Sequence, residues 1–477
     1  MKENDQLHEE CGIVGVFGNP NAANLAYLGL YALQHRGQEA SGIVSYDGKK
    51  FHQEKGVGLV ANVFNENNLA ALVGSSAVGH NRYSTAGDDG RANVQPLVGT
   101  HAFGTIAMAH NGNLVNADLL RTSLEASGSV FQSTVDSEVI LHRLARSTAR
   151  TLVDRIVDAV AGVRGAYSLL FLSEAVLIAV RDPYGVRPLL LGQLKTGYVV
   201  ASESCVFDLI EAKYIRDIEP GEVIQIDESG ITSFKPFPKV QPAQCVFEFV
   251  YFSRPDSIIF SQSVYGVRKR LGYELAKEAA IAADIVIAVP DSGVLAALGF
   301  SEAAKIPYDV GLIRNHYVGR TFIEPKEAIR HFGVKVKLNA VREVLEGKRV
   351  VVIDDSIVRG TTSKKIVKMI REAGAKEVHM RISAPPILSP CFYGIDTPNR
   401  NELIAATHAM DEIRKYITAD SLAYLSMEGM FRAVYHSESG QNHHFCNACF
   451  TGKYPIPLDE AEVKQPSLFD LNMLTQS

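Results

Sequence analysis

The sequence predicts two domains of different class: an α+β domain with antiparallel sheets, then an α/β domain built on a parallel sheet. Three observations carry this. The chain has 477 residues, 46% hydrophobic and 21% charged, enough for more than one core. As far as Phe234, strand-like and helix-like stretches come in separate blocks, the habit of α+β layers. Beyond Gln262 they alternate strand, helix, strand, which demands parallel pairing. Pro236, Pro238 and Pro242 mark a linker between the two patterns.

Taken in order, the first ten residues, MKENDQLHEE, show no packing pattern. After Cys11, Gly12 to Phe17 reads as a strand. An amphipathic helix is predicted from Ala22 to Gln34, with Leu25, Leu28, Tyr31 and Ala32 on one face and Gly37 just past its end. Strands and turns follow to Ala109. Helices are expected over 116–127, 136–146 and 152–163, and strands over 167–172, 176–180, 189–192 and 198–201. Gly56-x-Gly58-x-x-Ala61 matches a loosened dinucleotide fingerprint. It follows Gln53-Glu54-Lys55 rather than a buried strand, and no clear helix opens after it, so it reads as a turn and not as a Rossmann NAD site.

In the second half, Ile285 to Val289 reads as a strand, Pro290-Asp291-Ser292-Gly293 as a tight loop, and Val294 to Ala304 as a helix. A second unit begins with Val350-Val351-Val352-Ile353, a β-branched apolar run typical of a buried parallel strand. The loop Asp354-Asp355-Ser356-Ile357-Val358-Arg359-Gly360-Thr361-Thr362-Ser363 follows. A helix then carries Ile366, Val367, Ile370 and Ala373 on one face with Gly374 at its end, and Val378 to Ile382 is the next strand. The tail after Pro455 is polar and expected to be flexible.

Composition excludes several classes. Lys plus Arg number 48 against 53 Asp plus Glu, so bulk electrostatics give no support for nucleic-acid binding. No apolar run reaches spanning length, and Asp284 interrupts the best candidate, 279–290, so no membrane role is expected. The N-terminus lacks the apolar core of a secretory signal. A cytoplasmic location is expected, where six cysteines point to metal or catalysis before disulfides.

The loop 354–363 lies where open α/β sheets bind ligands. Backbone N–H groups and hydroxyls at a helix N-terminus suit a phosphate. Neighbouring carboxylates can bind ribose hydroxyls or hold Mg²⁺ through water. Alone, Asp354 and Asp355 could merely cap the loop, and Thr361 or Thr362 the helix. The full string, however, resembles the diphosphosugar signature of the type I phosphoribosyltransferases. That resemblance implies that the acidic pair faces the ribose of phosphoribosyl pyrophosphate (PRPP) and that Ser356, Arg359, Gly360, Thr361, Thr362 and Ser363 hold its 5-phosphate. It also implies that Ser292 joins Asp354 and Asp355 around one Mg²⁺, although Ser292 could equally be a helix N-cap. The run Arg314 to Phe322 resembles that family's mobile lid.

Cys11 alone reads as a buried small hydrophobe. Its company is more telling: Gln34-His35-Arg36-Gly37-Gln38-Glu39, Gly79-His80-Asn81-Arg82-Tyr83, His110-Asn111-Gly112-Asn113 and Asp136-Ser137-Glu138. In this order they resemble the N-terminal-nucleophile, class II glutamine amidotransferases over 11–234. The resemblance implies a four-layer αββα domain at 11–235 and a propeptide, 1–10, cut before Cys11. A freed α-amine, pKa roughly 7.7–8.0, can serve as general base for its own thiol. Asn111 and Gly112 would form the oxyanion hole; Arg82 and Asp136 would bind the α-carboxylate and α-ammonium of glutamine. Singly, Arg82 and Asp136 could form an ordinary salt bridge, and Asn111-Gly112 a hairpin turn.

Cys446-Asn447-Ala448-Cys449 alone could be a zinc half-site, a redox pair or neither. The two halves together resemble the amidophosphoribosyltransferase family over nearly the whole chain. Its iron–sulfur branch implies that Cys245, Cys391, Cys446 and Cys449 ligate a [4Fe–4S] cluster, with Cys205 left as a core residue. The family implies a linker at 236–260, a phosphoribosyltransferase domain with the cluster region at 261–454, and a polar tail from 455. It also implies 5-phosphoribosylamine, glutamate and pyrophosphate as products in the committed step of purine synthesis, feedback by purine nucleotides, and a homotetramer. Hexosamine and asparagine synthases share the N-terminal motifs but do not use the DDSIVRGTT loop. A PRPP-sensing regulator would leave Cys11 without purpose.

Overall fold

The computed structural model describes residues 11–83, 91–315, 338–435 and 444–458. The expected propeptide, most of the expected lid and most of the tail lie outside the described residues. The N-terminal half contains β1 (Gly12–Phe17), β2 (Ala40–Tyr46), β3 (Phe51–Val57), β4 (Ser76–Arg82), β5 (Leu97–His101), β6 (Gly104–Leu114), β7 (Gly165–Leu172), β8 (Leu177–Arg181), β9 (Leu190–Gln193), β10 (Tyr198–Ala201), β11 (Lys213–Asp217), β12 (Val223–Asp227) and β13 (Gly230–Phe234). They form two sheets, ordered β11-β9-β10-β1-β4-β2-β3 and β13-β12-β8-β7-β6-β5, with antiparallel pairing throughout.

Alternation along each strand sends every second side chain to one face, and three cores result. Ile13, Val44 and Val78 meet Leu170, Ala179 and Ile224 between the sheets. Leu30 and Val206, from the helices Ala22–Ala32 and Cys205–Leu209, cover the outside of the first sheet with Val14 and Leu190. Leu124, Ile140 and Ile156, from Ala117–Ala126, Glu138–Arg146 and Leu152–Val160, cover the second with Met108 and Leu169. The layers run helix, sheet, sheet, helix.

Two local expectations need correction. The first helix ends at Ala32 and buries Ala22, Ala23, Ala26, Gly29, Leu30 and Ala32. Of the face expected to be buried, Ala32 is so and Leu25 packs at the core's edge, while Leu28 and Tyr31 are 36% and 54% exposed; the small residues let the helix lie close on the sheet. A four-residue helix, Val60–Val63, does follow Gly58, although it is too short to serve a dinucleotide.

The C-terminal half holds a parallel sheet in the order Ile285–Ala288, Arg349–Asp354, Glu377–Ile382, Ser421–Tyr424. The apolar run expected to be buried on both faces is so. Val351 and Ile353 pack with Leu271, Ala296 and Phe300; Val350 and Val352 pack with Ile366, Ile370 and Ile413. The strand Ser421–Tyr424 has no counterpart in the sequence reading. Between the halves, Gln244–Cys245 pairs in parallel with Phe445–Cys446, and Glu248–Phe252 forms a π-helical turn. Val115, Ala166 and Val186 share one core with Phe247 and Phe450, so the halves are packed together.

Candidate functional site

Cys11 stands at the entrance to β1, 8% exposed. Its thiol donates to the Tyr83 carbonyl at 3.7 Å, and its own carbonyl accepts from Arg36 Nε at 3.3 Å. Ser202 ties this end of β1 to the second sheet. Its Oγ accepts from the Ile13 N–H at 3.0 Å and from Asn111 Nδ2 at 3.5 Å. Cys11 and Asn111 are thereby brought to one place from opposite sheets. Asn111 is fully buried, and its Oδ1 has no hydrogen-bond partner among the described residues. Asn111 and Gly112 lie within β6 opposite Ser168 and Tyr167, so they are not a hairpin turn. Gly112 has φ 143°, and a Cβ there would fall 2.0 Å from the Ala166 carbonyl oxygen; only glycine fits.

Arg82 ends β4 and is buried. Asp136 precedes its helix, which begins at Glu138, two residues later than expected. Its carboxylate accepts from the N–H groups of Leu114 at 2.9 Å and Ser137 at 2.7 Å and lies 3.6 Å from His110 Nδ1. Burial pushes Asp136 up, but His110 and the two amides prevail and hold it below the usual carboxylate range. It is an ionised carboxylate anchored beside β6, able to attract an ammonium group.

In the second half, Asp354 closes its strand and Asp355 opens the loop, both buried. Asp354 Oδ1 accepts from the Asp355 N–H at 3.0 Å, and Ser356 Oγ donates to Asp355 Oδ2 at 2.5 Å. The loop carrying Ser292 is tied to the same strand by the Val289 N–H, 2.8 Å from the Ile353 carbonyl. Ser292 is not a helix N-cap; Gly293 takes that position. Nor does a threonine cap the helix Thr361–Glu372, whose N-cap is Gly360 at φ 77°. Thr361, Thr362 and Ser363 form its first turn, where backbone N–H groups and the helix dipole favour an anion. Arg359 pairs with Glu402 at 3.0 Å, clamping the loop. Arg268 was not foreseen. It donates to the carbonyls of Phe249, Tyr251 and Ser253, and the field of Asp355 partly offsets the burial that pushes its pKa down.

None of the six cysteines is in a disulfide. Cys245 and Cys446 are register partners, and the Leu388 and Ser389 N–H groups bind the Cys449 carbonyl at 2.9 and 3.0 Å. Burial pushes the Cys449 thiol well up, and Cys245, Cys446 and Cys391 add to it by charge. Cys446 is raised to about 12 by burial first and by Cys391. Cys245 and Cys449 are buried and Cys391 and Cys446 half-buried; as thiolates, such a group would call for positive charge beside it. Among the described residues, the four cysteines included, no group of three or more His, Cys, Asp or Glu side chains that could hold a metal ion is found. Cys205 lies apart in the first outer core.

Residues 80–208 match a family model described as a glutamine amidotransferase domain. Amidophosphoribosyltransferase 1, chloroplastic, of Arabidopsis thaliana is 54% identical over 97% of this chain and 82% of its own length. The amidophosphoribosyltransferase of Bacillus subtilis is 51% identical over 95% of each. The solved structure of glutamine PRPP amidotransferase from B. subtilis, complexed with ADP and GMP, superposes with a TM-score of 0.90 at 48% identity, covering 97% of this chain and 100% of that one. With half its residues shared along nearly its whole length, this chain belongs to the amidophosphoribosyltransferase family.

Proposed function

We propose that this enzyme of the purine pathway, which amidates PRPP at the expense of glutamine, divides the work between the two strand ends described above. Once residues 1–10 are removed, the α-amine of Cys11 takes the thiol proton. The sulfur then adds to the carboxamide carbon of glutamine. The Asn111 side-chain amide and the Gly112 N–H receive the oxyanion, while Arg82 and Asp136 hold the amino-acid end. Collapse of the adduct breaks the C–N bond, and the nitrogen leaves as ammonia with the proton returned from the amine. Water hydrolyses the thioester to glutamate. Ammonia then attacks the anomeric carbon of PRPP and pyrophosphate departs.

Asp354 and Asp355 are assigned to the ribose hydroxyls, and 356 and 359–363 to the 5-phosphate. The hydroxyl of Ser292 and the two carboxylates have the hard oxygen chemistry to hold Mg²⁺, which would offset charge on the leaving pyrophosphate. Cys245, Cys391, Cys446 and Cys449 would hold a [4Fe–4S] cluster that staples linker to C-terminus. We assign 11–235 to the glutaminase domain, 236–260 to the linker and 261–454 to the phosphoribosyltransferase domain. Inhibition by purine nucleotides is supported by the ADP and GMP in the B. subtilis complex; a homotetramer and a cytoplasmic location complete the reading. No helix among the described residues is long and apolar enough to cross a membrane.

The observation that carries the proposal is Ser202 joining the Cys11 strand end to Asn111. The test is glutamate release from glutamine with PRPP present. Release dependent on Cys11 is expected; its absence in mature wild-type protein would overturn the reading.

A further inference from the structure

Four charged side chains lie fully buried where the two halves meet, outside the residues assigned above. Arg36 is 1% exposed; Glu203, Glu248 and Arg187 are 0%. Arg36 Nη1 donates to Glu203 Oε1 at 2.7 Å and to Glu248 Oε2 at 2.9 Å, and its Nη2 to Glu248 Oε1 at 2.7 Å. The remaining nitrogen, Nε, holds the Cys11 carbonyl. Ser253 Oγ donates to Glu248 Oε2 at 2.5 Å. The same Glu248 Oε1 also lies 3.4 Å from Arg187 Nη1. Arg187 binds the Tyr393 carbonyl through Nε at 3.0 Å and Nη2 at 2.8 Å.

The segment held by Arg187 backs the oxyanion strand. The carbonyl of Phe392 accepts from Asn113 Nδ2 at 3.0 Å. A Cβ on Gly394 would come within 3.2 Å of the Gly112 Cα and carbonyl carbon. One carboxylate from the joining segment therefore faces the nucleophile through Arg36 and the oxyanion donors through Arg187. Fork-shaped, charge-assisted contacts of this kind fix orientation as well as contributing energy.

We propose that Glu248 is a positioning residue for glutamine hydrolysis, setting the Cys11 backbone through Arg36 and the back of the oxyanion strand through Arg187. This rests on the assignment of Cys11, Asn111 and Gly112 as the glutaminase machinery. A misplacement of the reacting groups by about 1 Å costs on the order of a hundredfold in rate, so the effect belongs in kcat.

The test compares mature wild type with Glu248→Gln and with the double variant Arg36→Gln/Glu248→Gln. Glutamine hydrolysis and ammonia-dependent synthesis from PRPP are measured in parallel. For Glu248→Gln, kcat for hydrolysis should fall by about tenfold to a hundredfold, with glutamine KM within about threefold and ammonia-dependent synthesis unchanged. Breaking a buried pair from one side can unfold a protein; the double variant keeps the net charge of the cluster although Glu203 and Arg187 each lose a partner, and its ammonia-dependent synthesis and melting curve report whether it folds. It should fold and remain defective with glutamine, because the clamp on the Cys11 carbonyl is gone. Restored hydrolysis in the double variant, wild-type hydrolysis in the single one, or equal loss of both activities would overturn the inference. Wild type without glutaminase activity would instead overturn the reading on which it rests.

Discussion

Cys245 and Cys446 stand opposite one another in register on two short parallel strands, although nearly half the chain separates them. One strand lies within the proposed linker and the other nears the end of the described chain, so whatever joins their thiols fastens the two together. Cys446→Ser should therefore cost iron and stability together. The purified wild type should be brown, with about four irons per chain for one cluster. A loss of about 3 kcal/mol, the scale of a missing covalent cross-link, lowers the thermal midpoint by roughly 6–12 °C. Iron and acid-labile sulfide assays beside a melting curve check this. Colourless protein with stoichiometric zinc would replace the cluster by a zinc site.

Gly112→Ala tests the proposed oxyanion hole without touching a side chain. The new methyl would collide with the Ala166 carbonyl oxygen at 2.0 Å, at a backbone angle of φ 143° that alanine avoids. The Gly112 N–H must then turn away from the Cys11 site. Glutamine hydrolysis should fall by about 10²–10³-fold, the usual loss for one oxyanion donor, while ammonia-dependent synthesis persists. Steady-state assays with the two nitrogen sources separate these outcomes.

The strand Arg349–Asp354 was legible because both its faces are buried, so every residue from Val350 to Ile353 had to be apolar and β-branched side chains fill such a strand well. In the first helix Ala32 and Leu25 face the core as expected but Leu28 and Tyr31 do not, because alanines and Gly29 make the close contact with the sheet and give no bulky stripe to read. Asp136 was singled out by its motif, but its anchoring before the helix depends on the Leu114 amide of another strand. Glu248 gave no signal at all. Its neighbours are aromatic and aliphatic, and its partner Arg36 lies 212 residues away. Long-range pairing of buried charges is set by tertiary packing, which no local pattern encodes.

Glu203 gives a pH prediction with a definite sign. Burial pushes its carboxyl up, but His35 and Arg36 prevail and hold it far below the usual range. The unfolded chain therefore takes up a proton there before the folded one does. The stability it contributes is complete above the ordinary glutamate value, about pH 4.3, and drains away as pH falls toward the depressed folded value. Glu203→Gln should lower stability at neutral pH by about 3–5 kcal/mol, the scale of a broken buried pair, and flatten the acid limb of the stability profile. Urea melts between about pH 3 and 7 check this; an unchanged acid limb would assign the acid sensitivity to other carboxylates.

A final pair of variants asks whether the two strand ends run separable reactions. Cys11→Ala removes the sulfur but leaves the Arg36–Cys11 carbonyl contact, which uses only backbone. Glutamine-dependent synthesis should vanish while added ammonia still supports product formation. Asp354→Asn with Asp355→Asn keeps the shape of the loop, since the Asp355 N–H can still reach a side-chain oxygen at position 354, but removes two charges from the end of the strand. Binding of the sugar hydroxyls and of a hard cation both weaken, so PRPP use should fall about a hundredfold or more with either nitrogen source, as two charge-assisted contacts of roughly 1.5–3 kcal/mol each are lost. PRPP saturation curves with glutamine and with ammonia distinguish the variants. Loss of ammonia-dependent synthesis in Cys11→Ala would show that the thiol serves the PRPP site as well, and the two-site division would fail.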